Sequence, residues 1–207
     1  MTTFALIRHA NHALLGRTIV GRTPGVRLSP AGLRQAEALA ERLADSPIGA
    51  LYSSPLERAR ATAAPIANRL RLEVQIADEL NEIDFGDWTN HTLADLHEIE
   101  AWRQFNLFRS SSRVPNGEGM IEVQGRMLRL MERLCVAHPA QTVALVSHGD
   151  VIKATLAHYL GVPLDLFQRI EISPASLSVV RIARYGPEVL LVNGFAEDGV
   201  LQARPTG

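Results

Sequence analysis

Two short apolar runs, each cut off by a histidine, constrain the fold of this chain more than any other feature. Phe4-Ala-Leu-Ile stops abruptly at Arg8 and His9, and Val143-Ala-Leu-Val stops at Ser147-His148-Gly149. A short apolar run ended by polar residues reads as a strand buried on both faces, as in a parallel sheet. In open α/β sheets, ligands sit just beyond the carboxyl ends of the strands. Arg8 and His9 therefore stand at the lip of a binding site. Two strands that each deliver a histidine predict one site holding a pair of imidazoles.

The segments between these strands alternate helix and strand signals. Ser29-Pro30 opens a helix, with serine at the N-cap and proline at the first helical position. Leu33, Ala36, Leu39, Ala40 and Leu43 follow as its inward face. Ile48–Tyr52 reads as a second strand, and Ser53-Ser54-Pro55 is expected to cap a second helix in the same way, with Ala59, Ala63, Ile66, Ala67 and Leu70 inward. Leu72–Ile76 is a third strand candidate, residues 92–108 look helical, and Met120, Val123, Met127, Leu130 and Leu134 mark another helix. A helix from about Asp150 to Leu160 stops at Gly161, with Pro163 beyond. Ser176–Ala183 and Val189–Asn193 form an expected hairpin around Tyr185-Gly186-Pro187. The alternation predicts an α/β fold, a three-layer α/β/α sandwich whose mostly parallel sheet carries an antiparallel edge strand. Residues 1–207 read as a single domain, with residues 80–119 as an excursion covering the site and the tail after Phe195 poorly ordered.

Charge and cysteine usage narrow the function classes. A net charge of −1 argues against a general nucleic-acid or membrane-surface binder. The single Cys135 rules out an intramolecular disulfide, and no segment approaches the ~20 apolar residues a membrane helix needs. Arg8 and His9 interrupt the first apolar run too early for a signal peptide. The expectation is a soluble cytoplasmic protein.

Residues 10–28 are rich in glycine and arginine, including Arg17 and Arg22, which is loop composition. Placed directly after Arg8-His9, this loop would make a basic wall for an anionic substrate. Arg58 falls in the first turn of the second helix, where a cation opposes the helix dipole. That conflict makes sense if Arg58 and the helix start both face a bound anion. A histidine at a strand end, an arginine at a helix start or Glu82 in a loop is unremarkable alone; the set is what carries information.

That set, in order along nearly the whole chain, resembles the histidine phosphatase superfamily, the phosphoglycerate-mutase-like enzymes. Arg8-His9 matches the family's Arg-His-Gly signature, and Leu28-Ser-Pro-Ala-Gly32 is similar to its L-S-x-x-G block. Ser53-Ser-Pro-Leu-Glu-Arg-Ala-Arg-Ala-Thr62 is very close to S-S-P-L-x-R-A-x-x-T, and Glu82-Ile-Asp-Phe-Gly-Asp-Trp88 to E-x-x-F-G-x-W. Asn116-Gly-Glu118 and Val146-Ser-His-Gly149 resemble the family's G-E loop and second-histidine motif. The resemblance implies a metal-independent, cofactor-free phosphatase that hydrolyses a small phosphorylated metabolite through a phosphohistidine. It implies that His9 is the nucleophile and that Arg8, Arg58 and His148 clamp the phosphoryl oxygens. Glu82 would be the general acid and then the base, its pKa raised by burial beside Phe85 and Trp88.

The chain departs from the pattern after His9. Ala10 replaces the usual glycine and is expected to crowd the backbone near the phosphate, and Asn11 and His12 fill the next two positions. Asn11, Arg17 and Arg22 are the remaining substrate-binding candidates. His12 is read as a surface residue, with a third site imidazole as the alternative. Three other readings stand beside the phosphatase: a phosphoglycerate-type mutase, a non-catalytic phosphate-binding protein, and a zinc hydrolase using His9, His12 and His148. The last is disfavoured because no helix carries paired ligands at metal-binding spacing. An apolar helix face or the edge strand could support a homodimer.

Overall fold

The computed structural model describes residues 1–194 together with Leu201, so the expected tail after Phe195 lies, apart from Leu201, outside the described residues. Six strands form one sheet: β1 (Thr2–Arg8), β2 (Ile48–Ser53), β3 (Val74–Ile76), β4 (Thr142–Ser147), β5 (Leu177–Ala183) and β6 (Gly186–Gly194). Their order is β3-β2-β4-β1-β5-β6. β3, β2, β4 and β1 run parallel, whereas β5 pairs antiparallel with β1 and β6 with β5. The antiparallel edge is therefore a pair of strands joined by a two-residue turn at Arg184-Tyr185.

The central strands bury both faces, and their alternation assigns residues to two core layers. Phe4, Leu6, Val143 and Leu145 face one layer, packed under α5 (Met120–Ala137) and α6 (Gly149–Leu160). Ala5, Ile7, Ala144 and Val146 face the other, under α1 (Pro30–Arg42) and α2 (Glu57–Leu70). This is the expected three-layer arrangement.

Local chemistry explains most element boundaries and three differences from the sequence expectation. Ser29 caps α1 as expected, its Oγ accepting from the Gly32 amide at 3.0 Å. Leu33, at the margin of the apolar stripe, is 52% exposed, and Gly32 takes the inward place instead. Helix α2 does not start with a serine cap. It begins at Glu57 behind Leu56, and the Ser54 hydroxyl, two residues before that cap position, accepts from the Leu56 amide at 3.3 Å and meets His148. Residues 92–108 form two helices, α3 (Leu93–His97) and α4 (Glu100–Leu107), instead of one. Their apolar positions (Leu93, Leu96, Ile99, Trp102, Phe105) recur every three residues. In an unbroken helix such a stripe would wander by about 240° over the segment. The break at Glu98-Ile99 resets the phase, so Leu96 on one side and Trp102 and Phe105 on the other all reach the core. Three short 3-10 turns were not anticipated, over Asp78–Leu80, Gly86–Trp88 and Leu164–Arg169.

Candidate active site

The register between β1 and β4 places the two histidines side by side. Arg8 pairs with Ser147, so His9 and His148 are the next residues on neighbouring parallel strands. Their ring centroids are 5.1 Å apart. His9 is 2% exposed, and its Nδ1 lies 2.8 Å from the carbonyl oxygen of Ala10. A carbonyl only accepts, so in the neutral ring Nδ1 carries the proton and Nε2 keeps its lone pair. Burial, then the Arg58 charge, and more weakly Arg8 and His12, hold the His9 pKa well below the usual imidazole value. The ring is thus neutral and its Nε2 is free to act as a nucleophile.

Arg58, in the first turn of α2, is 1% exposed. Its Nη2 donates to the Gly21 carbonyl at 2.8 Å and reaches His148 Nδ1 at 3.3 Å, while Nε and Nη1 have no protein partner. Thr62, one turn further along α2, donates to the Arg58 carbonyl and accepts from the Ala10 amide at 2.9 Å. The Arg58-Thr62 spacing thus locks the helix start to the peptide following His9. Arg8 donates Nη1 to the Ile172 carbonyl at 2.5 Å and leaves Nε unpartnered. Gly149 makes room for it, since a Cβ there would lie 3.2 Å from the guanidinium. Buried guanidinium N–H groups without protein acceptors suit an oxyanion.

His148 is fully buried, with Nε2 at 2.8 Å from Ser54 Oγ. Arginine only donates, so the contact with Arg58 makes Nδ1 an acceptor and puts the proton on Nε2, directed at Ser54. Burial and the Arg58 charge lower its pKa also.

Glu82 meets this cluster from the excursion, its Oε2 at 3.7 Å from His148 Nδ1 and its side chain 15% exposed. Burial first, and the neighbouring Asp150 carboxylate second, raise its pKa to about 7 against the opposing pull of Arg58 and Arg8. Phe85 shares the cavity wall, while Trp88 packs on Trp102 and Phe105. The Glu82 carbonyl is gripped by Arg22 Nε at 2.8 Å and Arg126 Nη2 at 3.2 Å, and both arginines pair with Glu118. This explains the Asn116-Gly-Glu118 loop: it fixes the backbone that presents Glu82.

Arg8, His9, Arg58 and Glu82 line one cavity of about 220 Å³. Asn11, Arg17 and Arg22 do not. The Asn11 amide bonds Gln35, and its carbonyl receives the Ser29 amide at 3.0 Å. Arg17 is exposed, and Arg22 is spent on Glu118, Asp84 and the Glu82 carbonyl. The surface reading of His12 is also corrected: it is 3% exposed, lines the cavity, and stacks 5.5 Å from His9. Burial and the charges of Arg58 and Arg8 push its pKa down to about 4, and Nδ1 has no protein partner. The Ala10 methyl does not crowd the cavity either; it packs into the core beneath α1 and α2.

Three residues of the site region escaped sequence reasoning. Asp150 and Lys153 of α6 line the cavity. Arg109, 2% exposed, sits 4.3 Å from the Phe105 ring and 4.9 Å from that of Phe167 and reaches Asp150 at 3.5 Å. Only the position of Asp150 directly after Ser-His-Gly offered a signal. Among the described residues, no group of three or more His, Cys, Asp or Glu could hold a metal ion.

The chain is 32% identical over 198 residues to phosphoserine phosphatase 1 of Hydrogenobacter thermophilus, covering 93% of this chain and 92% of that protein. It is 33% identical to the probable phosphoglycerate mutase GpmB of Proteus mirabilis, over 84% of this chain and 82% of that one. YhfR of Bacillus stearothermophilus superposes with a TM-score of 0.88 at 25% identity, covering 94% and 98% of the two chains. The family profile spans residues 4–194, taking in both histidine-bearing strands, Arg58 and Glu82. By that match, the chain belongs to the histidine phosphatase superfamily (branch 1).

Proposed function

We propose that this chain is a phosphomonoesterase that hydrolyses a small phosphorylated metabolite through a phosphohistidine at His9, without a metal. The observation that carries the reading is the pairing of a neutral, buried His9 having a free Nε2 with unpartnered guanidinium donors of Arg8 and Arg58 around one cavity. In the first step Nε2 attacks phosphorus while the ester P–O bond breaks, and the departing alkoxide takes the Glu82 proton. The arginines offset the charge on the transferring oxygens, which needs no reorganisation once they are buried in place. In the second step the Glu82 carboxylate removes a proton from water as its oxygen attacks phosphorus. The N–P bond then breaks, phosphate leaves, and Glu82 is protonated again.

A mutase would give the phosphoryl group to a second alcohol instead of water, and one relative bears a mutase name. We read residues 1–207 as one catalytic domain covered by residues 80–119. A cytoplasmic setting fits the composition, and no helix of the described residues is long and apolar enough to cross a membrane.

The test is phosphate release from a panel of phosphomonoesters in EDTA, comparing wild type with His9→Ala. Turnover that survives chelation and drops by at least about a thousandfold in the variant is the expected result. Chelator-sensitive activity, or an active His9→Ala, would overturn the mechanism. An isomerised ester without free phosphate would make the chain a mutase, and phosphate binding without turnover a binding protein.

A further inference from the structure

Beyond the phosphoryl end, the cavity wall must meet the alcohol portion of the ester. Leu15, Ile19 and Leu93 make part of that wall apolar. Among the described residues its only further charges are Asp150 and Lys153. Three residues apart on α6, they lie on one face, about a turn from each other. Asp150 is the inner of the two, because the preceding Gly149 abuts the Arg8 guanidinium.

Both charges are held in position. Asp150 Oδ2 lies 3.5 Å from Nη1 of Arg109, whose Nη2 donates to Asn106 Oδ1 at 2.5 Å and whose guanidinium is clamped by the Phe105 and Phe167 rings. Arg109 is a positioning residue: it aims a carboxylate into the cavity from behind. Lys153 is half-buried and donates to Gln168 Oε1 at 3.2 Å. A fixed carboxylate beside the departing oxygen disfavours an acidic substituent there and attracts a cationic one. One turn outward, the ammonium of Lys153 reverses that preference.

We propose that Asp150 and Lys153 form a leaving-group subsite that selects phosphate esters of small zwitterionic alcohols. Asp150 takes the substrate's ammonium and Lys153 its carboxylate, so O-phosphorylated hydroxy amino acids are the substrate class. The inference rests on the His9-centred phosphatase reading.

Four esters isolate the two charges: O-phosphoserine carries both, O-phosphoethanolamine the ammonium only, 3-phosphoglycerate the carboxylate only, and glycerol 3-phosphate neither. In wild type, kcat/KM for O-phosphoserine is expected to exceed that for glycerol 3-phosphate by about tenfold or more. Asp150→Asn should lower the ratio of O-phosphoethanolamine to glycerol 3-phosphate by about tenfold. The ratio cancels any general effect on Glu82 or on folding. Lys153→Met, at a half-buried position whose only polar contact among the described residues is Gln168, should lower the ratio of O-phosphoserine to O-phosphoethanolamine. Unchanged ratios, a wild-type preference for 3-phosphoglycerate or glycerol 3-phosphate, or no turnover of any of the four would overturn the subsite. An active His9→Ala would instead indict the phosphohistidine reading beneath it.

Discussion

At the scale of single residues, Glu82 must serve as an acid in one half-reaction and as a base in the other. A pKa of about 7 suits both, and its causes are burial and the Asp150 carboxylate. The first half-reaction is the one kcat/KM reports, and it needs the protonated form. For alkyl phosphates kcat/KM should therefore fall about tenfold per unit above roughly pH 7, whereas His9 stays neutral well below pH 6.5 and adds no limb there. Glu82→Gln should erase the alkaline limb and lower kcat/KM for alkyl esters by about 10²–10⁴. The loss should be smaller for p-nitrophenyl phosphate, whose leaving group needs little protonation. An alkaline limb that persists in the glutamine variant would assign the titration elsewhere. Arg8, His9, Arg58 and His148 could be singled out in the sequence because strand ends and a helix start dictate where they emerge, whereas Glu82, in a loop, was singled out by the family resemblance alone. His12 and Arg22 could not be placed, since loop rotation there follows from distant contacts such as Ser29 to Asn11 and Arg22 to Glu118. The Arg109–Asp150 pair joins residues 41 apart in sequence, and no local pattern announces it.

At the scale of elements, the start of α1 sets the path of the chain just beyond His9. Gly32 lies so close to this loop that a Cβ there would stand 2.0 Å from the Asn11 carbonyl oxygen. Helix propensity alone favours Gly32→Ala by about 1 kcal/mol in an exposed helix. Here the clash is with backbone that itself accepts from the Ser29 amide, so overpacking wins. Gly32→Ala should destabilise the protein by about 2–3 kcal/mol in urea unfolding. A variant of equal or greater stability would show that the loop yields freely. The Ser29-Pro30 signal of this helix was readable because its cap is local. The apparent Ser54 cap of α2 misled because the helix starts two residues later than that signal, behind Leu56, and the Ser54 hydroxyl also meets His148, a partner 94 residues away. The division of residues 92–108 was in principle legible, since a three-residue period is incompatible with one straight amphipathic helix.

At the scale of the whole molecule, burying three imidazoles and a carboxyl group in one site links catalysis to acid stability. His9, His12 and His148 all have folded pKa values lowered from the ordinary one, His12 to about 4. Below about pH 6.5 the unfolded chain binds protons at these positions that the folded chain refuses, so stability falls as pH falls. Glu82 acts in the opposite sense: with its pKa raised to about 7, the folded state holds a proton that the unfolded state releases above about pH 4.5. The lowered carboxylates Glu57, Glu79, Glu100 and Glu122 lend stability that is present above the ordinary carboxylate range and lost only as pH falls through it. Between about pH 5 and 6.5 the histidines outweigh Glu82, and the net uptake on unfolding goes from about two protons at the acid end to about one at the other. As pH falls through that window, stability should drop by roughly 1–3 kcal/mol per pH unit, most steeply at the acid end. Toward pH 7 the histidine uptake fades to about the size of the Glu82 release, so stability should level off near pH 7. His12→Asn removes one of the protons taken up and should about halve the slope. Urea unfolding of both proteins at several pH values measures this directly. A wild-type slope near zero between pH 5 and 6.5 would mean that the three rings accept protons in the folded state, and with them that His9 is not held neutral for attack.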